Sequence, residues 1–252
     1  MHRDRTISTR EVSVSEPDHV TGLPVGLLVS EVTPAPAPER VVLQGRYCRL
    51  EPLDPDRHAA DLYRASTPPD TAERHRYLFD EPPESEQTFR IWLAAKSTSL
   101  DPLFFAVTDQ VTGRTLGRQT LMRIDRAHRV IEIGSIYWGP EMSRTRLATE
   151  AQFLFAEYVF RLGYRRYEWK CDALNSPSRR AAERFGFSFE GIFRQHMIVK
   201  GRNRDTAWYA MIDTEWPALK AAYERWLDPG NFDAAGRELQ KLGTLTAAAL
   251  NR

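Results

Sequence analysis

The chain has 252 residues, 42% hydrophobic and 27% charged, enough to bury a sizeable core in one domain of roughly 200 residues with tails. Thirty-five Lys and Arg against 34 Asp and Glu leave a net charge of +1, so nothing global calls for nucleic acid or an anionic membrane surface, and neither is expected as a partner. Cys48 and Cys171 are too few and too far apart for a disulfide framework or a zinc site; no metal is expected, and a reduced, cytoplasmic setting is the simpler reading.

In chain order, residues 1–20 mix Arg, Ser, Thr, Asp and Glu without periodicity or the apolar core of a signal peptide, which predicts a loosely attached lead. The apolar run GLLV at 26–29 is too short to span a bilayer. TPAPAPER at 33–40 predicts a polyproline spacer, completing a flexible extension over 1–40. A folded domain is expected over 41–229. VVLQGRYCRLEPL alternates as a strand pair, or as a strand bent at Gly45, and HAADLYRAS at 58–66 has helical spacing. ESEQTFRIWLAAKS, capped at Ser85, predicts a helix with Phe89, Trp92 and Leu93 on one face.

LFFAVTD, TLGRQTLMRID and HRVIEIGSIYW read as three consecutive antiparallel strands. LATEAQFLFAEYVFRLG then places Leu147, Ala151, Leu154, Tyr158 and Leu162 on one helical stripe stopped by Gly163. RYEWKC is a strand and 176–185 a short basic helix. FSFEGIFRQHMIVK and DTAWYAMID are strands joined by GRNR, EWPALKAAYERWL is a closing helix, and 230–252 form a weakly amphipathic helical tail. Antiparallel strands feeding one helical crossover, then strand, helix and hairpin, define an α+β (mixed α/β) fold with a central, mostly antiparallel sheet flanked by helices.

The stretch 164–187 is YRRYEWKCDAL, then Asn175, then SPSRRAAERFGF, and it follows the long helix with its ATEA. It resembles the coenzyme A edge of the Gcn5-related N-acetyltransferases (GNAT), in the RimJ/RimL-like branch that acetylates ribosomal-protein N-termini. The resemblance covers roughly 45–227. It implies a splayed sheet and acetyl-CoA as cosubstrate, with transfer directly to a primary amine on a small molecule or a protein N-terminus. It places pantetheine against the backbone of Tyr137, Trp138 and Gly139, and the diphosphate at the helix start formed by Arg144, Thr145, Arg146, Leu147, Ala148 and Thr149. Asn175 is implied to hydrogen-bond the pantetheine arm, with Ser178 facing the same cofactor. Side chains of Tyr137 and Trp138 are equally compatible with plain core positions, and Asn175 with a plain helix cap.

Two departures stand out. Arg144 and Arg146 occupy the positions of a Gly-x-Gly: either the loop takes a conformation open to L-residues, with two guanidiniums added to the diphosphate site, or the site no longer holds coenzyme A. Ala182 replaces a tyrosine that many members use as acid, leaving Ser178 as the nearest proton donor and Tyr209 as a weaker one. These departures motivate an alternative: a non-catalytic acyl-CoA-binding sensor or scaffold with a degenerate site. Glu132, in an apolar VIEIG context, is the candidate base; the bland alternative is a strand carboxylate paired with an arginine across the sheet. Arg179, Arg180 and Arg184 could neutralise phosphates or simply be solvated. His75, Tyr77, Trp92, Arg194, His196, Arg202, Asn203 and Arg204 are candidates for the acceptor cleft, against a solvated hairpin tip. The exposed hairpin and long tail permit a homodimer.

Overall fold

The computed structural model describes residues 15–252, so most of the expected loose lead lies outside the described residues. The chain divides into a short unit ending at Thr33 and a compact unit of Pro34–Arg252. In the short unit, β1 (Ser15–Pro17) and β2 (Pro24–Gly26) pair antiparallel. Residues 15–20 are therefore not featureless: the Asp18 carboxylate accepts the N–H groups of Val20 and Thr21 and closes the turn.

The compact unit starts at Pro34 rather than at 41. Ala35 is buried and its N–H donates to the Arg126 carbonyl, while the Tyr164 hydroxyl donates to the Pro36 carbonyl at 3.1 Å. The proline-rich run is thus packed structure, not a spacer, because its carbonyls and amides find partners in the sheet domain.

From there the chain forms β3 (Leu43–Gln44), β4 (Cys48–Pro52), α1 (Pro55–Ser66), α2 (Thr71–Arg74) and α3 (Glu86–Ser97). Next come β5 (Leu103–Asp109), β6 (Thr115–Asp125), β7 (Val130–Trp138), α4 (Arg146–Arg161) and β8 (Arg166–Asp172). The order ends with α5 (Ser176–Arg184), β9 (Ser188–Val199), β10 (Arg202–Ile212), α6 (Trp216–Leu227) and α7 (Leu242–Ala249). Eight strands form one sheet in the order β3-β4-β5-β6-β7-β8-β10-β9, and every pairing is antiparallel except β7 with β8. That parallel pair is joined by the α4 crossover.

Strand β5 shows why helices flank both faces. Phe105 and Val107 belong to the larger core with Phe155 of α4 and Tyr223 of α6; Phe104 and Ala106 belong to a second core with Leu62 of α1 and Leu93 of α3. The local signals are strong ones. A Ser85–Thr88 capping box opens α3, Asp54 caps α1, and Gly186 stops α5 at φ +91, where a Cβ would stand 2.6 Å from a Leu219 methyl.

Three details depart from the expected pattern. The buried surface of α4 is carried by Ala148, Ala151, Gln152, Phe155, Ala156 and Val159, while Leu147, Leu154 and Leu162 are only half-buried. The helix lies between the sheet and α6, where Phe153 and Phe160 meet Trp216, so apolar contact extends around most of it. The hairpin joining β9 and β10 turns on Lys200 and Gly201 alone, both at positive φ, so Asn203 and Arg204 belong to the strand. The tail docks: Leu242 and Thr246 are buried, and the Thr246 hydroxyl donates to the Arg184 carbonyl at 3.1 Å.

Candidate active site

The sheet splits at its one parallel pair. β7 and β8 pair from Val130↔Arg166 to Ile133↔Trp169 and no further. Beyond that point β7 bulges: Thr120 faces Gly134 and Arg118 faces Tyr137, so the intervening residues lose register, with Ser135 at φ +46. β8 runs on to Asp172 beside β10. Arg118 fixes the bulge. Its side chain is 1% exposed, donates to the Ser135 carbonyl at 2.8 Å, pairs with Asp80, and lies against the rings of Trp92 and Tyr137. The gap is a cleft of about 630 Å³ between the two strands, the start of α5 and the segment 70–80. A second cavity of about 710 Å³ lies beside the starts of α4 and α5. Both are lined by Arg144, Pro177 and Ala181, so they run into one another.

The start of α4 is built to leave its amides available. Thr145 stands at the N-cap but caps nothing, since its hydroxyl donates to the Met142 carbonyl at 2.6 Å, and the first turn carries no acid. Arg144 sits at φ +64, the left-handed region that a glycine would occupy at no cost. The expected loop open to L-residues is therefore not what forms; the glycine-type backbone is kept and an arginine is strained into it. Arg146 spreads its guanidinium over Tyr47 (5.1 Å) and Phe232 (4.5 Å), and Arg184 lies over Trp226 (5.1 Å) while donating to the Thr149 hydroxyl. Burial pulls the Arg184 pKa down. Among the described residues, Arg144, Arg146, Arg180 and Arg184 have no carboxylate within ion-pair distance, and all four line the second cavity.

The rest of the stretch turns inward. Ala148 and Thr149 are buried and Leu147 half-buried, none of the three lines either cavity, and the Thr149 N–H already donates to the Thr145 carbonyl. Glu150 in ATEA is structural: its carboxylate accepts the N–H groups of Arg46, Tyr47 and Cys48 at 2.6–2.8 Å.

Along β7, Tyr137 and Trp138 line the cleft, but Gly139 does not present free backbone. Its N–H donates to the Leu116 carbonyl and its carbonyl accepts from Met142 and Ser143, because the chain turns there to start α4. The Tyr137 hydroxyl donates to the Ala65 carbonyl at 3.0 Å, and burial pushes its pKa up to about 12. On α5, Asn175 is a helix cap that accepts the Ser178 N–H at 3.1 Å, and it also lines the cleft. The Ser178 hydroxyl accepts the Trp169 indole N–H at 3.0 Å, leaving its own proton to donate. Ala182 is fully buried, and the buried Tyr209 hydroxyl accepts from Arg179 at 3.1 Å and belongs to the core.

Glu132 lies at the base of the cleft, 3% exposed, with Arg123 (2.6 Å) and Lys170 (3.1 Å) both on Oε2. It is thus buried and ion-paired with an arginine across the sheet, and its other oxygen faces the Gly134 position. Of the acceptor candidates, Tyr77 and Arg204 line the cleft, whereas His75 is buried beneath it, stacked on Tyr137 at 4.8 Å. Arg194, His196, Arg202 and Asn203 are exposed and do not line either cavity. Sequence reasoning missed Arg118, Lys170, Trp226 of α6 and the tail residue Phe232. A charged residue at the core parity of TLGRQTL was the available signal for the first.

No group of three or more His, Cys, Asp or Glu among the described residues is arranged to hold a metal, and no helix among them is long and apolar enough to cross a membrane. The family described as the acetyltransferase (GNAT) domain matches residues 48–188, over half of the chain. A GCN5-related N-acetyltransferase from Brucella melitensis is 60% identical across 85% of this chain and 97% of its own, with a TM-score of 0.84. A probable GNAT-family acetyltransferase from Chromobacterium violaceum ATCC 12472 is 40% identical across 78% of this chain and 98% of its own, with a TM-score of 0.72. A curated relative, "Putative ribosomal N-acetyltransferase YdaF" of Bacillus subtilis (strain 168), is 31% identical over 110 residues, which are 43% of this chain and 59% of that protein. Matched in sequence over more than half its length and in fold over most of it, the chain belongs to the GNAT acetyltransferase family.

Proposed function

We propose that the protein transfers an acetyl group from acetyl-CoA to a primary amine. The observation that carries this reading is the pair of continuous cavities. The cationic one, at the uncapped start of α4, suits a nucleotide diphosphate; the one that enters the split between β7 and β8 suits an extended arm ending in a thioester. The residues present fit such a molecule. Amides at 146–148, with Arg144, Arg146 and Arg180, would hold its phosphates, and Asn175, Tyr137 and Trp138 would flank its arm.

When bound, acetyl-CoA supplies an activated acyl group, and the protein's part is to orient the amine and move protons. Glu132 is proposed to take the ammonium proton, directly or through water, and Ser178 to donate from its hydroxyl toward the sulfur. An α-amino group, with a pKa near ~7.7–8, asks less of that base than a lysine near ~10.4. This accords with a protein N-terminus or a small α-amine as acceptor; the name of the Bacillus relative points to a ribosomal acceptor for that protein. Two buried, unlinked cysteines accord with a cytoplasmic setting.

A second reading, an acyl-CoA sensor without turnover, draws on the ion-paired Glu132 and on Ala182. Calorimetry with acetyl-CoA and thiol release over an amine panel separate the two. Binding with thiol release supports transfer, binding without it supports the sensor, and no binding removes both.

A further inference from the structure

On the face of the sheet that carries Glu132, basic side chains are matched to acids with one buried exception. Arg118 meets Asp80, Arg123 and Lys170 meet Glu132, Lys200 meets Glu81 at 3.1 Å, and Arg74 meets Asp70 at 2.9 Å. Arg204 has no such partner. It is 7% exposed, its guanidinium makes no hydrogen bond or ion pair among the described residues, and its Nε is buried without an acceptor. Its guanidinium lies over the Phe79 ring at 4.9 Å and lines the cleft. Asp172 is the acid with the largest electrostatic influence on it, ahead of Glu132, but an Asp172 oxygen is engaged by the Leu174 N–H at 2.9 Å. Burial pulls the Arg204 pKa down, as expected for a cation removed from water without a counterion.

A buried, unmatched guanidinium is unfavourable in a fold that has paired its neighbours. Register places it on the reacting face. Thr206 stands opposite Asp172 and Trp208 opposite Lys170, whose ammonium lies 3.7 Å from the Trp208 ring centre, so alternation along β10 puts Arg204 on the side of Lys170 and Glu132. The planar fork of five donors fits an oxyanion better than any other ligand chemistry.

We infer that Arg204 determines acceptor specificity by binding an oxyanion, a carboxylate or a phosphate, carried by the amine that is acetylated. The inference rests on the acetyl-transfer reading and narrows its substrate class to acidic amines. Arg204 touches no reacting atom in this scheme; it fixes the acceptor so that its nitrogen reaches the split.

The test uses the full chain and matched primary amines, each offered as a free carboxylic acid, a carboxamide and a phosphate monoester, with thiol release as the readout and acetyl-CoA binding by calorimetry as the control. The acid or the phosphate is expected to show a KM roughly 10- to 100-fold below the amide, the worth of a hydrogen bond to a charged group. Which of the two wins identifies the oxyanion. In Arg204→Gln that preference should collapse towards one, with kcat changed less than KM and acetyl-CoA affinity unchanged, and Arg204→Lys should restore part of it. Arg204→Met should keep or raise Tm, because it removes a buried unpaired charge. Equal KM for acid and amide, a preference that survives Arg204→Gln, transfer to no acidic amine, or a Tm several degrees lower in Arg204→Met would each overturn the inference. Loss of acetyl-CoA binding by the wild-type protein would instead strike the transferase reading beneath it.

Discussion

Arg146 and Lys170 stand on opposite sides of the split sheet and are handled in opposite ways. Arg146 is held by two aromatic rings and has no carboxylate, as do Arg144, Arg180 and Arg184 around it in lacking one. Lys170 is 7% exposed and cancelled by Glu132 and Glu168, and Arg118 beyond it by Asp80. On the α4 side the one nearby buried acid, Glu150, is turned away to three amides of the first hairpin. Charge on the first side is therefore left for a polyanion, whereas charge on the second builds the walls. Rings can immobilise a guanidinium without neutralising it, which is what a phosphate site needs; ion pairs immobilise and neutralise together.

The contrast breaks first where the walls are removed. Arg118→Ala takes a buried guanidinium from the half-buried Asp80 and frees the bulge of β7, so denaturant unfolding should show a loss of about 3 kcal/mol. A loss under about 1 kcal/mol would mean that aromatic packing, not the ion pair, holds the bulge. Glu150→Ala follows, at about 2–3 kcal/mol, since it leaves three amides of a tight turn without their charged acceptor. By contrast Arg180→Gln, on the exposed cationic side, should leave stability within about 0.5 kcal/mol while weakening acetyl-CoA binding and flattening its salt dependence. Equal stability losses at Glu150 and Arg180 would erase the distinction between the two sides.

How much of this was legible in the sequence follows the same division. Strand alternation, the Ser85 cap, the Gly163 and Gly186 stops and the element order are local signals, and each is realised in the fold. The site was read from residues whose environment is local too: Asn175 is a cap because its partner is Ser178, three residues on. What could not be read depends on distant chain segments. The left-handed turn at Arg144 lies between β7 and α4, Gly139 is engaged by Leu116, and Arg204 is a strand residue because the hairpin turns at Lys200 and Gly201. The arginine partner of Glu132 is the alternative that strand alternation offers, whereas its second partner, Lys170, comes from β8 and depends on how the crossover sets β8 beside β7. Tail residues enter the second cavity through the docking of the segment after α6, for which composition carried no signal.

Smaller effects test the α4 side itself. Asn175→Ala should cost about 1 kcal/mol as a lost cap, with acetyl-CoA affinity falling by more than stability alone explains. If only Tm moves, Asn175 is a cap and nothing else. Arg144→Gly relieves a left-handed residue but loosens the unfolded chain, so stability should change by less than about 1 kcal/mol. Calorimetry should then show weaker acetyl-CoA binding, and tighter binding would mean that the arginine obstructs the backbone approach that a glycine allows.

The smallest effect concerns His75, beneath the cleft on the neutralised side. Its Nδ1–H donates to the Thr71 carbonyl at 2.9 Å, its ring stacks on Tyr137, and Asp80, Arg118 and Lys200 surround it. Burial, ahead of every other influence, lowers its pKa below the ordinary 6.5. Above pH 6.5 the imidazole is neutral in both states and its titration adds nothing. As pH falls below 6.5 the unfolded chain takes up a proton that the folded chain resists, so stability declines until the folded pKa is passed and then levels. Replacing the ring by Phe keeps the stack and removes the proton site. His75→Phe should therefore lose less stability than the wild type between pH 7 and about 5, as followed by urea midpoints across that range. His58, also buried with a lowered pKa, keeps a residual slope of the same sign in the variant. Parallel curves for the two proteins would mean that His75 accepts its proton in place, with Asp80 as counterion, and that the wall absorbs a charge there as readily as it cancels one at Lys170.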